Sequence, residues 1–279
     1  MIDTLLRYAA FTDHPDGGNP AGVVLEAGGL DDARMQAIAA EVGYSETVFM
    51  RERDDGAFEA RYFSPQAEVP FCGHATIAGA VALAERRGPG TLVLHTRAGR
   101  VTVETQRQGP ALTATLTSVA PRVDAALPDG LLDAALAHLR WTREDLDPAL
   151  PARVAHAGAR HLILAAATRE RLARLDYDFD GLKELMLAHD LTTVALVWRE
   201  SATRYHARNP FPVGGVVEDP ATGAAAAAFG AYLRELGLVA PPARITILQG
   251  QDMGRPSHLA VDIGPAGPIR VGGQAVRLT

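Results

Sequence analysis

Apolar and polar residues alternate in short runs along this chain, and the runs end at clusters of Gly, Pro, Asn and Asp. Residues 5–11 and 21–25 read as strands on either side of a turn cluster from Asp13 to Pro20. Asp31 caps a helix that runs to about Val42 and stops at Gly43. Residues 47–50 and 58–63 are strand-like. A helix over 75–85 follows, ended by Arg86-Arg-Gly-Pro-Gly90, and then three alternating segments at 91–96, 100–104 and 112–116. The second half repeats this order. A strand at 161–166 precedes a helix opened by Asp180 and ending near His189, then strands at 193–197 and 203–207. A helix over 223–236, stopped by Gly237, leads to short strands at 245–248, 258–263 and 276–278. Residues 119–152, rich in Pro, Ala and Asp, fall outside the repeat and read as a connection with short helices over 131–139 and 143–146.

Each half thus reads strand, helix, strand, strand, Gly-led helix, three strands. A doubly wound parallel sheet needs a helix at nearly every crossover, and this order has too few. The expected class is α+β: two pseudo-symmetric halves, 1–118 and 119–279, each a curved mixed or antiparallel sheet wrapped round a central helix. The last strand is expected to pack back on the first half. The helices over 75–85 and 223–236 are apolar on most faces, as a buried helix is.

The repeat reaches single residues. Arg61 and Arg208 each have a Pro four positions on, Pro65 and Pro212. Glu68-Val-Pro-Phe-Cys-Gly73 then aligns without a gap with Glu218-Asp-Pro-Ala-Thr-Gly223. Two equivalent turns, each opening a helix, are expected to present two helix N-termini to one small anionic ligand. The first backbone N–H groups of a helix lack internal partners, and the helix dipole favours an anion there. Gly73, Gly223 and Ala224 are small enough for a ligand to approach the backbone.

Composition narrows the classes. An apolar fraction of 47% and a charged fraction of 22% describe a chain that buries a core. A net charge of −6 without a basic stripe argues against nucleic acid or an acidic membrane as partner. Cys72 is the sole cysteine, so no internal disulfide forms, which fits a reducing compartment. Asp3 and Arg7 interrupt the first apolar stretch, which is unlike a signal peptide, and no window is long enough to span a membrane. A cytoplasmic location is the expectation. No Gly-rich nucleotide cradle follows a strand, and no His/Asp/Glu spacing reads as a metal site, so neither cofactor nor metal is expected.

The candidate chemistry lies where the two copies differ. Thr47-Val48 aligns with Thr193-Val194, which sets Glu46 against Thr192. An acid at an element junction suits a general base if burial raises its pKa, while Ser45 or Glu46 as a plain turn residue is the competing reading. Asp219 stands against Val69 and reads either as a second acid or as a helix-capping residue. Glu46 and Asp219 together can flank a substrate and move a proton between two positions. His74 reads as a hydrogen-bond donor or proton shuttle, against a satisfied core imidazole. Asn19 is a turn residue or a polar ligand contact. Thr222 belongs to the second turn. Arg255, in the polar loop 249–257, is a candidate carboxylate partner against the commoner solvated arginine. His206 and His258 read as structural.

These residues carry a resemblance. Gly18-Asn-Pro-Ala-Gly22, Ser45-Glu-Thr-Val-Phe49, Arg61-Tyr-Phe-Ser-Pro65, Glu68-Val-Pro-Phe-Cys-Gly-His-Ala-Thr76, Glu218-Asp-Pro-Ala-Thr-Gly-Ala224 and Gln249-Gly with Met253-Gly-Arg-Pro-Ser257 resemble the PhzF-like phenazine-biosynthesis isomerase family. The resemblance spans nearly the whole chain. It implies a diaminopimelate-epimerase-like fold with the active site between the halves, proton transfer by Glu46, and a pocket lined by the Gly73-His74 and Gly223 turns with Asp219. It also implies a cofactor-free enzyme, often a homodimer. Two departures stand out. The family often has Ser where this chain has Ala224. The related two-thiol racemases have a second cysteine where this chain has Thr222, and a threonine hydroxyl is too weak an acid or base for that exchange. Cys72 is accordingly read as a small buried hydrophobe. The leading expectation is a cofactor-independent isomerase of a small carboxylate-bearing substrate. A one-base epimerase or racemase and a non-catalytic anion-binding protein are the alternatives.

Overall fold

The structure is a computed structural model and describes residues 5–279; Asp3, used above against a leader, lies outside them. By contact density the chain divides into two compact units, Met1–Thr117 with Gly272–Thr279, and Ser118–Val271. No helix among the described residues is long and apolar enough to cross a membrane.

The first unit contains β1 (Leu5–Ala10), β2 (Asn19–Val24), α1 (Asp32–Val42), β3 (Glu46–Glu52), β4 (Phe58–Phe63), β5 (Glu68–Val69), α2 (Gly73–Arg87), β6 (Thr91–Thr96), β7 (Gly99–Gln108) and β8 (Ala111–Thr117). The second contains β9 (Arg122–Val123), α3 (Leu131–Leu139), β10 (Arg153–His156), β11 (Arg160–Ala165), α4 (Arg169–Ala173), α5 (Phe179–Ala188), β12 (Thr193–Arg199), β13 (Arg204–Phe211), β14 (Val216–Asp219), α6 (Gly223–Glu235), β15 (Ala243–Gln249) and β16 (Ser257–Ile263). β17 (Ile269–Arg277) begins in the second unit and ends in the first.

Strand pairing repeats between the units. β1–β2, β3–β4, β4–β5 and β6–β7 are antiparallel, whereas β2–β3 and β4–β6 are parallel. β10–β11, β12–β13, β13–β14 and β15–β16 are antiparallel in the same places, and β11–β12 and β13–β15 are parallel. The fold is α+β, a mixed sheet around one buried helix in each unit. In the first unit β17 pairs with both β1 and β8, so the sheet closes on itself.

α2 is buried continuously from His74 to Ala84, and α6 from Ala225 to Leu233. The small residues that suggested burial set how closely each helix lies to its sheet. A Cβ on Gly230 in α6 meets Val261 at 2.9 Å and Ile269 at 3.1 Å. α1 covers the outer side of the first sheet with Met35, Ile38 and Ala39 packed on Val24, Phe49 and Phe63. α3, α4 and α5 build a second core around Leu136, Leu139, Trp141, Leu182 and Met186.

Several local expectations change. The cap of α5 is Asp178, whose carboxylate accepts the Gly181 N–H, and Asp180 lies in the first turn. A Cβ at 181 would meet the side-chain ends of Asp178 and His138 at 2.3 Å, so any larger residue there displaces that pair. The helix expected over 143–146 is a single 3-10 turn, Arg143–Asp145, since Leu146 leaves it to bridge Ala166. The strand expected at 276–278 is the nine-residue β17. Within it, Gly272 sits where a Cβ meets Thr115 Oγ1 at 2.5 Å. The very short strands β5, β9 and β14, together with β10 and α4, carry too little pattern to be read.

β11 and β12 bring fully buried His161 opposite Thr193. Thr193 donates to Asn209 Oδ1 at 2.9 Å, so its oxygen accepts from His161 Nδ1 at 2.8 Å. The proton is thus on Nδ1, and buried Nε2 has no partner among the described residues. Burial, with a smaller push from His156, lowers the imidazole pKa from 6.5 to about 3.

Two outcomes follow. The folded pKa of His161 is depressed, so its contribution to stability is complete above pH 6.5 and is lost as pH falls toward 3. The expected slope is about 1.4 kcal/mol per pH unit below the unfolded value. His161→Asn should therefore flatten the pH dependence of urea unfolding between pH 6.5 and about 5, and an unchanged slope counts against this assignment. Gly230→Ala should destabilise by roughly 1 kcal/mol in the same assay, because overpacking costs about 1–3 kcal/mol and helix propensity returns only about 1.

Candidate active site

Gly43 ends α1 in the left-handed conformation, φ 70°, and turns the chain through Ser45 into β3, whose first residue is Glu46. β3 runs parallel to β2 with Glu46 opposite Ala21. β2 itself begins at Asn19, buried despite its polar side chain. α2 begins at Gly73, so His74 is its second residue. Parallel pairing therefore carries Ser45, Glu46 and Asn19 to the N-terminal turn of α2.

His74 is the centre of this cluster. Its Nε2 lies 3.4 Å from Glu46 Oε2 and 3.3 Å from Ser45 Oγ. Its Nδ1 lies 3.2 Å from Asn19 Nδ2 and 3.3 Å from Cys72 Sγ. With Asn19 assigned as donor to Nδ1, the ring proton sits on Nε2, whose hydrogen-bond partner is Ser45 Oγ, with Glu46 beside it. The Glu46 side chain is 18% exposed and that of His74 7%, so the pair is sheltered while the carboxylate still reaches solvent. The first turn of α2 has no side-chain cap. A Cβ on Gly73 finds only Leu116 Cδ1, at 3.9 Å, so the protein leaves the space beside this backbone open. Tyr62 donates to Thr76 Oγ1 at 2.7 Å, and Thr76 donates to the Cys72 carbonyl at 2.7 Å, which fixes the turn from within.

In the second unit Thr222 is the N-cap residue of α6, again without a side-chain cap, and Gly223 and Ala224 open the helix half-exposed. Asp219 does not hold the N-cap position; its Oδ2 accepts the Thr222 hydroxyl at 2.6 Å. Gln249, 2% exposed, braces this turn from below. Its Nε2 donates to the Asp219 carbonyl at 2.7 Å and to Thr222 Oγ1 at 3.0 Å, and its Oε1 accepts the Thr222 N–H at 3.1 Å. Gly250 follows in the left-handed region, φ 75°, where a Cβ meets the Arg255 and Pro220 carbonyls at 2.2 and 2.8 Å. Arg255 is half-buried with its backbone N–H on the Gly250 carbonyl at 2.9 Å.

The structure thus gathers Asn19, Ser45, Glu46, Gly73 and His74 in the first unit, and Asp219, Thr222, Gly223, Ala224 and Arg255 around one turn and its supporting loop in the second. It also explains the Arg and Glu of the repeat. Arg61 forms a two-pronged pair with Glu68 at 2.8 and 2.6 Å, and Arg208 does the same with Glu218. Glu68 and Asp32 hold the Arg61 guanidinium firmly protonated. Each repeated Glu anchors its turn and is not a spare ligand group. Of the two histidines read as structural, His206 is held between Glu200 and Gln251. Gln249 was missed as a site residue, and its adjacency to the Gly-rich polar loop was the available signal. A cavity of about 200 Å³ lined by Met35, Phe49, Arg51, Glu59 and Arg61 shares no residue with the His74 cluster, and its charged groups are paired.

Local spacing predicts no metal-ligand set; in the fold, the ligating atoms of Glu46, Cys72 and His74 lie within 4.8 Å of one another. Glu46 comes from β3, distant in sequence, so spacing alone hides the triad. Cys72 is buried as expected, and its sulfur also faces an imidazole.

Comparison with known proteins identifies the family. Residues 8–279 match the model of the family described as phenazine biosynthesis-like protein, PhzC-PhzF. An uncharacterized isomerase of Bacillus subtilis, YfhB, is 32% identical over 94% of this chain and 91% of its own length. Trans-2,3-dihydro-3-hydroxyanthranilate isomerase of Pseudomonas fluorescens is 32% identical over 89% of this chain and 86% of its own. A solved structure from Pseudomonas aeruginosa, described as a "Predicted Epimerase", superposes with a TM-score of 0.87 at 31% identity, covering 99% of this chain and 96% of that one. With a family match across nearly all of its length and the repeated turn-helix architecture in both units, the chain belongs to the PhzC-PhzF, phenazine biosynthesis-like family.

Proposed function

We propose that this isomerase moves a proton along a small carboxylate-bearing substrate, with Glu46 as the single base. The observation that carries the reading is the sheltered Glu46–His74 pair at the uncapped start of α2. Glu46 takes a proton from a carbon next to a carbonyl or carbon–carbon double bond. The electron pair left behind enters the conjugated system and the double bond shifts. Glu46 then returns the proton to a different carbon of that system and is regenerated as the carboxylate. A positioned acid–base group of this kind contributes about 10²–10⁴-fold.

The His74 ring packs beside Glu46 with its Nε2–H on Ser45 Oγ, and Asn19 holds the ring in that tautomer. The N–H groups at the start of α2 provide a place for the substrate carboxylate or for charge that develops during the transfer. The open space beside Gly73 supports that role. Asp219 and the α6 turn are assigned to the same reaction by the family resemblance. Ala224 leaves this turn its backbone donors without a hydroxyl. The Pseudomonas fluorescens relative supplies a first substrate to try, trans-2,3-dihydro-3-hydroxyanthranilate.

A second reading, a one-base epimerase of an amino-acid-like acid, draws on the Pseudomonas aeruginosa relative. In that case Glu46 returns the proton to the carbon it came from, on the opposite face.

Proton NMR in D₂O separates the two. Isomerisation places deuterium at a new carbon with migration of the double bond, whereas epimerisation places it only at a stereocentre. Glu46→Gln should lower turnover about 10²–10⁴-fold while thermal unfolding stays close to wild type. Full isomerisation by Glu46→Gln sinks the single-base proposal. Asp219→Asn should lower kcat/KM about tenfold or more, the scale of one lost charge-assisted contact. A variant indistinguishable from wild type removes the second turn from the reaction.

A further inference from the structure

Gln249 and Thr222 do more than brace the second turn, because their hydrogen bonds fix where a proton lies. We propose that the two are positioning residues that hold Asp219 as a carboxylate with Oδ2 as a fixed acceptor, so that Asp219 meets the substrate and any proton through Oδ1 alone. The contact with substrate rests on the reading that the α6 turn takes part in the reaction; the proton arrangement does not.

Donor and acceptor roles set this arrangement. The Thr222 backbone N–H can only donate, so the Gln249 atom 3.1 Å from it is the amide oxygen. The Asp219 carbonyl can only accept, so the atom 2.7 Å from it is the amide nitrogen. Two backbone groups thus leave this buried amide one orientation. Its Nε2 also donates to Thr222 Oγ1, at 3.0 Å. An amide nitrogen cannot accept the hydroxyl proton in return, and that proton goes to Asp219 Oδ2 at 2.6 Å. A hydroxyl on a charged carboxylate oxygen has the same separation, about 2.5–2.7 Å. The relay therefore runs one way, from amide to hydroxyl to carboxylate.

Thr222 holds the N-cap position of α6, where a threonine hydroxyl ordinarily accepts an N–H of the first turn. It makes no such cap, because Gln249 and Asp219 both engage it. The same position in the first unit is Cys72, whose sulfur lies beside His74. A hydroxyl too weak to exchange protons with a substrate acts here by orienting the acid next to it. The charged side chains and imidazole of β13 and of the loop after β15 are Arg204, His206, Arg208, Asp252 and Arg255. Glu200 holds Arg204 and His206, Glu218 holds Arg208, and Arg169 holds Asp252. Removal of the Thr222 hydroxyl touches none of these pairs.

Carboxyl ¹³C NMR of the full chain with labelled aspartate reads the arrangement without substrate, the Asp219 signal being the one that Asp219→Asn lacks. A hydroxyl that donates to the charged form favours it, so Thr222→Val should move the Asp219 titration to higher pH by about one unit, while Thr222→Ser should titrate as wild type. Gln249→Leu should move it the same way, with unfolding midpoints recorded to confirm folded protein. An Asp219 titration unchanged in Thr222→Val overturns the relay. Turnover of trans-2,3-dihydro-3-hydroxyanthranilate reads the positioning role. Thr222→Val should lower kcat/KM about tenfold in the wild-type chain but less than about twofold on top of Asp219→Asn, as residues that act through one another do. Equal losses in the two backgrounds overturn positioning through Asp219. A shifted titration together with an Asp219→Asn variant as active as wild type keeps the proton arrangement and removes the α6 turn from the reaction.

Discussion

The two-pronged pairing of a guanidinium with a carboxylate, made once in each unit, is the constraint on which the sites depend. Arg61 on β4 holds Glu68 on β5, and Arg208 on β13 holds Glu218 on β14. Each pair ties the strand before a helix to the short strand that turns into it. Arg208 and Glu218 are both nearly buried, so removal of one partner leaves an uncompensated charge at a cost of about 3–5 kcal/mol. The turn that follows is thereby held against its sheet, and the helix enters the interior at a fixed place. Only then do small residues matter, because Gly230 in α6 lets the helix lie close to Val261 and Ile269.

The shared clamp leaves each turn free to carry different side chains. In the first unit the residue before the helix is Cys72, with His74 two positions on and Glu46 delivered by the parallel β3. In the second unit the same position is Thr222, tied by its hydroxyl to Asp219 and by its backbone to Gln249. The first turn joins an acid, an imidazole and a thiol. The second satisfies its own polar groups and offers one carboxylate. Duplication thus supplies two similar frames, and the acid–imidazole–thiol cluster occurs in one of them.

Much of this was legible because periodicity and turn chemistry are local. The buried helices showed as apolar runs, and the repeated Glu-X-Pro-X-X-Gly stretch located both helix starts. Glu46 and Asp219 stood out because an acid in one copy faced a neutral residue in the other. What stayed hidden was set by partners distant in sequence. Gln249 reaches back to Asp219 and Thr222, and the Gly-rich loop beside it signals a turn without naming those partners. Asp178 outcompetes Asp180 as a cap because the chain meets His138 there. Glu68 and Glu218 showed in the sequence only as repeat markers, and their pairing with Arg61 and Arg208 emerges from the fold.

β17 has a consequence for how the molecule is made. The first unit's sheet closes only when β17 reaches β1 and β8, and the whole of Ser118–Val271 lies between β8 and the part of β17 that belongs to this unit. The second unit is therefore an insertion into the first. During synthesis β1 and β8 leave the ribosome as open edges and stay open until the inserted unit has been translated. Unpaired edges of this kind recruit strands from other chains. The helix start that bears His74 is thus built early, inside a sheet that is sealed late.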